Sequence, residues 1–233
     1  MIIHGFNKTT LLDYPGKLAC SVFTGNCNFR CVFCQNSSLV LEPEKEPVIS
    51  DREVLDLIKK RRNILQGVCV SGGEPTLDPG LSDFLIEIRE IGLPVKLDTN
   101  GYEPEILRTL MYDGLIDMVA MDIKSDLDGY AEITGLDRFC PERIEESARL
   151  IMESGIEYEF RTTVVREYFT EKTAHGIGKW LKGAKALYLQ DFRDSDGVMV
   201  SGLHGWDHEH LIIYRDILRQ YIEKVEIRGT DAG

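Results

Sequence analysis

The sequence predicts an α/β fold of the (β/α) barrel type. Six short apolar segments each end in polar or glycine-containing residues, and a segment with helical periodicity follows each of them. The apolar segments do not alternate as a strand with one wet face would, which is typical of parallel strands covered by helices. Together, the alternation of elements and the apolar strands predict a parallel sheet.

Such a sheet either stays open and doubly wound or curves into a barrel. A doubly wound sheet that binds nucleotides has a glycine-rich turn in its first unit, whereas the first unit here contains cysteines. Six units are fewer than the eight of a full barrel, so we expect a partial, open (β/α)6 TIM-like barrel. We expect a single domain over residues 1–233, with a short hairpin at about 1–8 and an edge strand at about 224–228.

The elements follow one another along the chain. The predicted strands are 18–25, 67–73, 95–101, 117–125, 157–165 and 185–192, and the predicted helices are 51–65, 81–92, 104–114, 141–155, 171–183 and 207–222. Residues 59–62, KKRR, suit a helix end, where cations complement the helix dipole. Asp207 is the expected N-cap of the last helix, so we interpret His204, His208 and His210 as a solvated helix start rather than as metal ligands.

Charge and hydropathy limit the classes of function. The net charge of −12 would repel phosphate backbones, so we expect no nucleic-acid partner. No window approaches 18 uninterrupted apolar residues, and the first residues do not resemble a secretion signal, so we expect a cytoplasmic protein without a membrane partner. In a reducing compartment, clustered cysteines indicate metal binding or catalysis rather than disulfides.

Cys27, Cys31 and Cys34 lie within eight positions of each other, after the first predicted strand. In a helix, the first and last of them would be separated by about 10 Å along the axis, too far to share one small metal centre. Gly25 and Asn26 favour a loop instead, and a seven-residue loop can curl around a cluster.

The number of clustered thiols distinguishes between metals. Structural zinc needs four ligands, usually as two separated pairs, but Cys20 and Cys69 lie inside predicted strands and Cys140 precedes a helix-initiating proline. These three cysteines are expected to be ordinary small core residues. Since a cubane iron–sulfur cluster normally takes four thiolates, three would leave one iron open to a substrate or cofactor.

The Cx3Cx2C motif, with Phe33 before its last cysteine, resembles that of the radical S-adenosylmethionine (SAM) superfamily. Residues 5–36 resemble the activating proteins of anaerobic ribonucleoside-triphosphate reductases, which are relatives of pyruvate formate-lyase activating enzyme. The resemblance extends over nearly the whole chain. It implies a [4Fe-4S] cluster held by Cys27, Cys31 and Cys34, with SAM bound at the open iron.

The same resemblance implies an activity and two protein partners. Reductive cleavage of SAM would yield a 5′-deoxyadenosyl radical, which removes hydrogen from a glycine of a glycyl radical enzyme. That enzyme is expected to be an anaerobic ribonucleotide reductase, with flavodoxin or ferredoxin as the electron donor.

Residues at the predicted strand ends match the SAM-binding positions of the family. Gly72 and Gly73 would expose carbonyls to the SAM amine, with Glu74 as an acidic neighbour. Asp122 and Lys124 lie two apart on one strand and hence on one face, and the resemblance places them at the methionine and ribose portions. Cofactor contacts are also implied for Phe33, for Asn36 near the adenosyl group, and for Gln190, which replaces a family histidine.

Further residues match a possible ion site and a substrate-facing surface. Asp98 and Thr99, with the aspartate of the next strand, resemble a monovalent cation site near the cofactor. Asp13 and Arg161 match residues that face the protein substrate.

Two alternative functions remain open from the sequence. The first is a radical SAM enzyme that acts on a small metabolite or a modified nucleobase. The second is a non-catalytic iron–sulfur or zinc binding module, which would form no 5′-deoxyadenosine.

Overall fold

The centre of the molecule is one curved sheet of eight strands. The computed structural model describes residues 1–229. The strands are β1 (Ile3–Thr10), β2 (Ala19–Thr24), β3 (Gly67–Gly72), β4 (Val95–Thr99), β5 (Met118–Asp122), β6 (Glu157–Val164), β7 (Ala186–Asp191) and β8 (Lys224–Arg228). They lie side by side in chain order, all parallel except for the antiparallel pair β1 and β2. The predicted open α/β fold is confirmed.

Helices follow most of the strands and cover the sheet. They are α1 (Ser37–Leu41), α2 (Asp51–Lys60), α3 (Leu81–Ile91), α4 (Pro104–Tyr112), α5 (Tyr130–Thr134), α6 (Pro141–Glu153), α7 (Glu171–Trp180) and α8 (His208–Leu218). Their apolar faces share one core with the strands, as Ile58 and Leu85 do with Val70. Among residues 1–229, none of the helices is both long and apolar enough to cross a membrane.

Local signals at the helix ends behave as expected. Lys59 and Lys60 occupy the last turn of α2. Asp207 caps α8, where its carboxylate accepts a hydrogen bond from the His210 amide. The short helices α1 and α5 were not predicted, because five residues are too few to establish a helical period.

The N-terminal segment differs from the expectation. Residues 1–8 do not form a hairpin of their own: β1 extends to Thr10 and makes its hairpin with β2. The reversal comes later, in residues 11–18, where Gly16 has a φ of +72°, a conformation that glycine adopts readily. Because β1 and β8 end the strand order, the sheet is open between them.

The connection between β1 and β2 packs Tyr14 against the amino ends of the strands. Its side chain is 1% exposed and contacts Ala19 and Met118, the first residues of β2 and β5. Gly67, the first residue of β3, leaves room for the ring, since a Cβ atom there would lie 2.8 Å from it. Tyr14 therefore fills the interior at the end opposite to the strand termini where the predicted site residues lie.

We expect Tyr14→Ala to lower the free energy of unfolding by about 3 kcal/mol, because removing a buried aromatic ring leaves a cavity. Tyr14→Phe retains the ring and is expected to cost less than about 1 kcal/mol. Urea unfolding of the metal-free variants measures both values, and equal losses would contradict a packing role for the ring.

Candidate functional site

The inner side of the sheet surrounds a cavity of about 420 Å³ near the carboxyl ends of the strands. Every residue predicted to form the site lines this cavity, except Glu74. The lining includes Asp13, Cys27, Cys31, Phe33, Cys34, Asn36, Gly72, Gly73, Asp98, Thr99, Asp122, Lys124, Arg161 and Gln190. The structure thus brings together residues from six strand ends and from the β1–β2 connection, whereas their individual roles remain predictions.

The three clustered cysteines lie in a loop between β2 and α1, as expected. Asn26 begins this loop with a φ of +61°, a conformation that asparagine tolerates better than most residues. The backbone amides of Arg30 and Val32 donate to the carbonyls of Thr134 and Ile133, at 2.8 and 3.2 Å. Helix α5 therefore supports the loop along one side.

The three cysteines are buried to different extents. Cys31 is buried, and Cys27 and Cys34 are half-buried. Burial raises the pKa of Cys27 to about 12, with a further contribution from Glu74, and burial raises the pKa of Cys31 to about 11. Since metals bind thiolates, the binding of iron here would displace protons.

The surroundings of Cys27 fit an iron–sulfur cluster. The Phe29 amide and the Asn100 side-chain amide donate to the Cys27 sulfur, at 3.4 and 3.7 Å. The neighbouring Asn28 Nδ2 is buried without a partner, so a donor remains that a cluster sulfur could satisfy. In the part of the chain that the structure describes, no group of three His, Cys, Asp or Glu is placed to hold a single metal ion. A multinuclear cluster does not need its ligands to converge on one ion, because each thiolate binds a different iron.

Glycine is needed at positions 72 and 73, because the backbone there lies very close to the backbone of Thr24 and Asn26. Gly72 has a φ of +123°, and a Cβ atom on it would lie 2.3 Å from the Thr24 backbone. A Cβ atom on Gly73 would lie 1.9 Å from the Asn26 carbonyl oxygen. The segment therefore runs directly against the start of the cysteine loop and lines the cavity with backbone, and Asn36 donates to the Gly72 carbonyl at 3.3 Å.

Glu74 lies behind this glycine segment and does not reach the cavity. Its carboxylate is 1% exposed and accepts hydrogen bonds from the Thr76 amide and hydroxyl, the Thr99 hydroxyl and the Asn100 amide, at 2.6–3.1 Å. Burial raises the pKa of Glu74, and these hydrogen bonds oppose the shift. Glu74 thus joins the glycine segment to the end of β4, where Asn100 approaches Cys27.

Five charged side chains form a continuous series across the inner face, which we call the charge ladder: Lys96, Asp98, Arg161, Asp122 and Lys124. Lys96 contacts Asp98 Oδ1, and Arg161 donates to Asp98 Oδ2 at 3.1 Å. Arg161 Nε also donates to Asp122 Oδ1 at 2.9 Å, and Lys124 donates to Asp122 Oδ2 at 3.2 Å. Strands β4, β5 and β6 are thereby connected through their side chains.

The charge ladder keeps its carboxylates ionised. Burial alone would raise the pKa of Asp122, but the charges of Arg161 and Lys124 lower it to about 2. Burial would likewise raise the pKa of Asp98, but the charges of Arg161 and Lys96 outweigh this effect and lower the pKa. These buried carboxylates stay ionised because each of them is paired with positive side chains.

The segment between β7 and α8 covers part of the cysteine loop, which the sequence did not indicate. The amides of Met199 and Val200 donate to the carbonyls of Cys34 and Val32, at 2.9 and 3.0 Å. Val198 and Leu203 of this segment pack with Phe33 in a separate apolar cluster. Phe33 is therefore held between two loops.

The remaining predicted residues mark other sides of the cavity. Gln190 on β7 lies opposite Thr163 on β6, and both line the cavity. Asp13 accepts a hydrogen bond from Ser21 on β2. The cavity thus extends from the cysteines to the β1–β2 connection.

Lys96 and Asn100 were missed at the sequence level. Lys96 lies two residues before Asp98, and this spacing on a strand indicates a shared face. Asn100 follows Thr99 directly, but its contact with Cys27 spans 73 positions in the chain. The sequence spacing could therefore have indicated Lys96, whereas no local pattern indicated the contact of Asn100 with Cys27.

Comparisons with known proteins agree with this geometry. A family model described as Radical SAM superfamily matches residues 21–181. A Methanocaldococcus jannaschii protein with the provisional name glycyl-radical enzyme activating enzyme is 31% identical over 210 residues, covering 84% of this chain and 81% of that protein. A GTP 3′,8-cyclase of Helicobacter pylori is 28% identical over 198 residues, covering 82% of this chain but only 57% of the cyclase.

Solved structures show the same fold. A radical SAM methyltransferase from Sphaerobacter thermophilus matches with a TM-score of 0.70 at 16% identity, over 94% of this chain and 69% of that one. Streptococcus suis SuiB bound to S-adenosylmethionine matches with a TM-score of 0.68 at 16% identity, over 89% of this chain and 49% of SuiB. At such identities the likeness concerns the fold alone.

Replacing Cys27, Cys31 or Cys34 by Ala is expected to abolish iron–sulfur loading, because each variant removes one of three thiolates. Iron and sulfide content after anaerobic reconstitution measures the effect. The expectation that Cys140 is a core residue is wrong, since it is exposed at the start of α6. Cys140→Ala is therefore the matched control, and it should retain the wild-type content. Full loading of any of the three cavity variants would contradict the assignment.

Arg161→Gln is expected to lower the free energy of unfolding by about 3–5 kcal/mol at neutral pH, because Asp98 and Asp122 lose their shared partner. The native pKa of Asp122 is about 2, and its unfolded value is about 3.9. The stability that this depressed pKa contributes is present above the unfolded value and is lost as the pH falls through the native one. The difference between wild type and variant should therefore shrink below about pH 4.

Urea unfolding at several pH values tests this expectation. Arg108→Gln is the control, because Arg108 pairs with Glu105 and Glu146 at the surface, where ion pairs contribute at most about 1 kcal/mol. Similar losses in the two variants, or a difference independent of pH, would contradict the account of the charge ladder.

Proposed function

Since the chain belongs to the radical SAM superfamily, we propose that it is an activating enzyme that installs a glycyl radical in a partner protein. The observation that carries this proposal is the Methanocaldococcus jannaschii relative, whose name states that activity and of which this chain covers 81%. When bound, the [4Fe-4S] cluster and SAM supply the reductive cleavage that yields a 5′-deoxyadenosyl radical, which takes hydrogen from the glycine.

In this proposal, the cavity residues hold and orient these groups. Cys27, Cys31 and Cys34 hold the cluster, and the backbone of Gly72 and Gly73 accepts the SAM amine. Asp122 and Lys124, which are paired at 3.2 Å, present a fixed carboxylate and ammonium to the methionine and ribose portions. Their partners in the charge ladder keep both groups ionised before the cofactor arrives, so little reorganisation is needed on binding.

The proposed substrate is a glycine on a loop of a glycyl radical enzyme, with an anaerobic ribonucleotide reductase as the first candidate. The open edge between β1 and β8 supports this, because a peptide loop can approach the inner face of an open sheet. Asp13, half-buried on the cavity wall, is then available to the loop. A flavodoxin or ferredoxin is the proposed electron donor.

A small-molecule substrate is the second candidate, because several GTP 3′,8-cyclases are among the similar proteins. The chain spans only 57% of the Helicobacter pylori cyclase and 64% of the Streptomyces coelicolor one. The activase proposal is favoured, because the similarity to the Methanocaldococcus jannaschii protein extends over more of that relative and at higher identity.

Two assays on the reconstituted protein test the proposal. With SAM and dithionite, we expect 5′-deoxyadenosine and methionine, measured by chromatography. With a purified anaerobic ribonucleotide reductase added, we expect the doublet signal of a glycyl radical in electron paramagnetic resonance spectra. A reductase variant with the radical glycine changed to Ala should remove that signal.

The outcomes separate the candidate functions. Cleavage of SAM with GTP consumption and without a radical on any glycyl radical enzyme would favour the small-molecule reading. An absence of 5′-deoxyadenosine from fully loaded protein would overturn the radical enzyme assignment and support a non-catalytic module. Cys31→Ala serves as the background control in both assays.

A further inference from the structure

The charge ladder occupies the place where a monovalent cation site was expected from the family resemblance. That site would be formed by Asp98, Thr99 and Asp122. Alkali cations are bound by oxygen ligands, so the test is whether oxygens of these three residues are free in the described structure.

The carboxylate oxygens of the two aspartates already face protein cations. Asp98 accepts from Lys96 at Oδ1 and from Arg161 at Oδ2, and Asp122 accepts from Arg161 at Oδ1 and from Lys124 at Oδ2. All four oxygens thus lie next to a positive side chain, and a further cation at any of them would meet that charge directly.

Thr99 does not complete an ion site either. Its hydroxyl donates to Glu74 at 2.8 Å and accepts from the Gly101 amide at 3.1 Å. This hydroxyl is committed to the network behind the glycine segment. The residues present do not fit a bound monovalent cation.

Lys96 gives the charge ladder its net positive charge. It is 1% exposed and does not line the cavity, yet its ammonium contacts Asp98 Oδ1. With Lys96, the ladder has three cations and two anions, so its net charge is 3 − 2 = +1. Without Lys96, Arg161 would still pair with Asp98 at Oδ2, but Asp98 Oδ1 would have no cation next to it.

We propose that Lys96 is a built-in cation that takes the place of a bound monovalent ion in this protein. It acts as a positioning residue: it neutralises Asp98 from behind, so that Arg161 and Asp122 keep the geometry that the cavity presents to SAM. The net positive ladder also suits an anionic group in the cavity, such as the SAM carboxylate. Cofactor binding should therefore not depend on potassium or sodium.

Calorimetric titration with SAM tests this on the reconstituted protein, whose cluster is kept oxidised so that SAM is not cleaved. The titrations use potassium chloride, sodium chloride or tetramethylammonium chloride at equal ionic strength. For the wild type, we expect the Kd to agree within about twofold among the three salts. For Lys96→Met, we expect the Kd to be about tenfold higher in tetramethylammonium than in potassium, because a small cation can then compensate Asp98.

Lys96→Met/Asp98→Asn is the matched control, since it removes the charge that needs compensation and should lose the salt dependence. A tenfold cation dependence of the wild type would overturn the proposal, as would a Lys96→Met variant that binds like the wild type in every salt. A merely structural role of Lys96 would weaken binding equally in all three salts, which would also overturn it.

A second measurement does not depend on the variants. Wild-type crystals soaked in rubidium chloride should show no anomalous peak between Asp98 and Asp122, and a peak at that position would overturn the proposal even if Lys96→Met failed to fold. The inference rests on the proposed binding of SAM to this protein and does not depend on the identity of the protein partner. A failure to form a glycyl radical would therefore leave these results interpretable.

Discussion

The bridge that Arg161 forms between Asp98 and Asp122 is the interaction on which the interior of the site depends. The parallel register pairs Asp122 on β5 with Arg161 on β6, and Asp98 on β4 lies beside Ala120, two residues before Asp122 on the same face. Burying any one of these charges alone would be costly, whereas the alternating series pairs each of them. The inner face of the sheet is consequently polar and preorganised near the cavity, while the outer face is apolar and packs against the helices.

The cysteine loop has no regular secondary structure, so its shape depends on neighbours from several directions. Helix α5 binds two of its amides, the segment after β7 binds two of its carbonyls, and the Gly72–Gly73 segment runs against its beginning. Within this loop, burial raises the pKa of Cys27 and of Cys31. The same enclosure would limit the access of water to a bound cluster.

The superfamily and the reaction partner are determined by different parts of the molecule. We propose that the cysteines, the glycine segment and the charge ladder serve the cofactor, and one such site can serve activating enzymes and enzymes of small molecules alike. In the proposed function, the choice of substrate would depend on what enters the cavity through the open side of the sheet. Asp13 and Gln190 line the same cavity as the cysteines and the glycine segment.

Local patterns in the sequence determined the order and type of the main elements, the loop of three cysteines and the strand-end residues that line the cavity, because period and spacing are local properties. The strand predicted at 224–228 is β8, whereas β1 pairs with β2 rather than forming its own hairpin. The spacing of Lys96 and Asp98 on β4 already indicates a shared face, whereas only the tertiary structure decided that Glu74 turns away from the cavity and that Asn100 reaches Cys27. These contacts depend on strand register and on loops that meet across long stretches of chain, where no local signal specifies the partner.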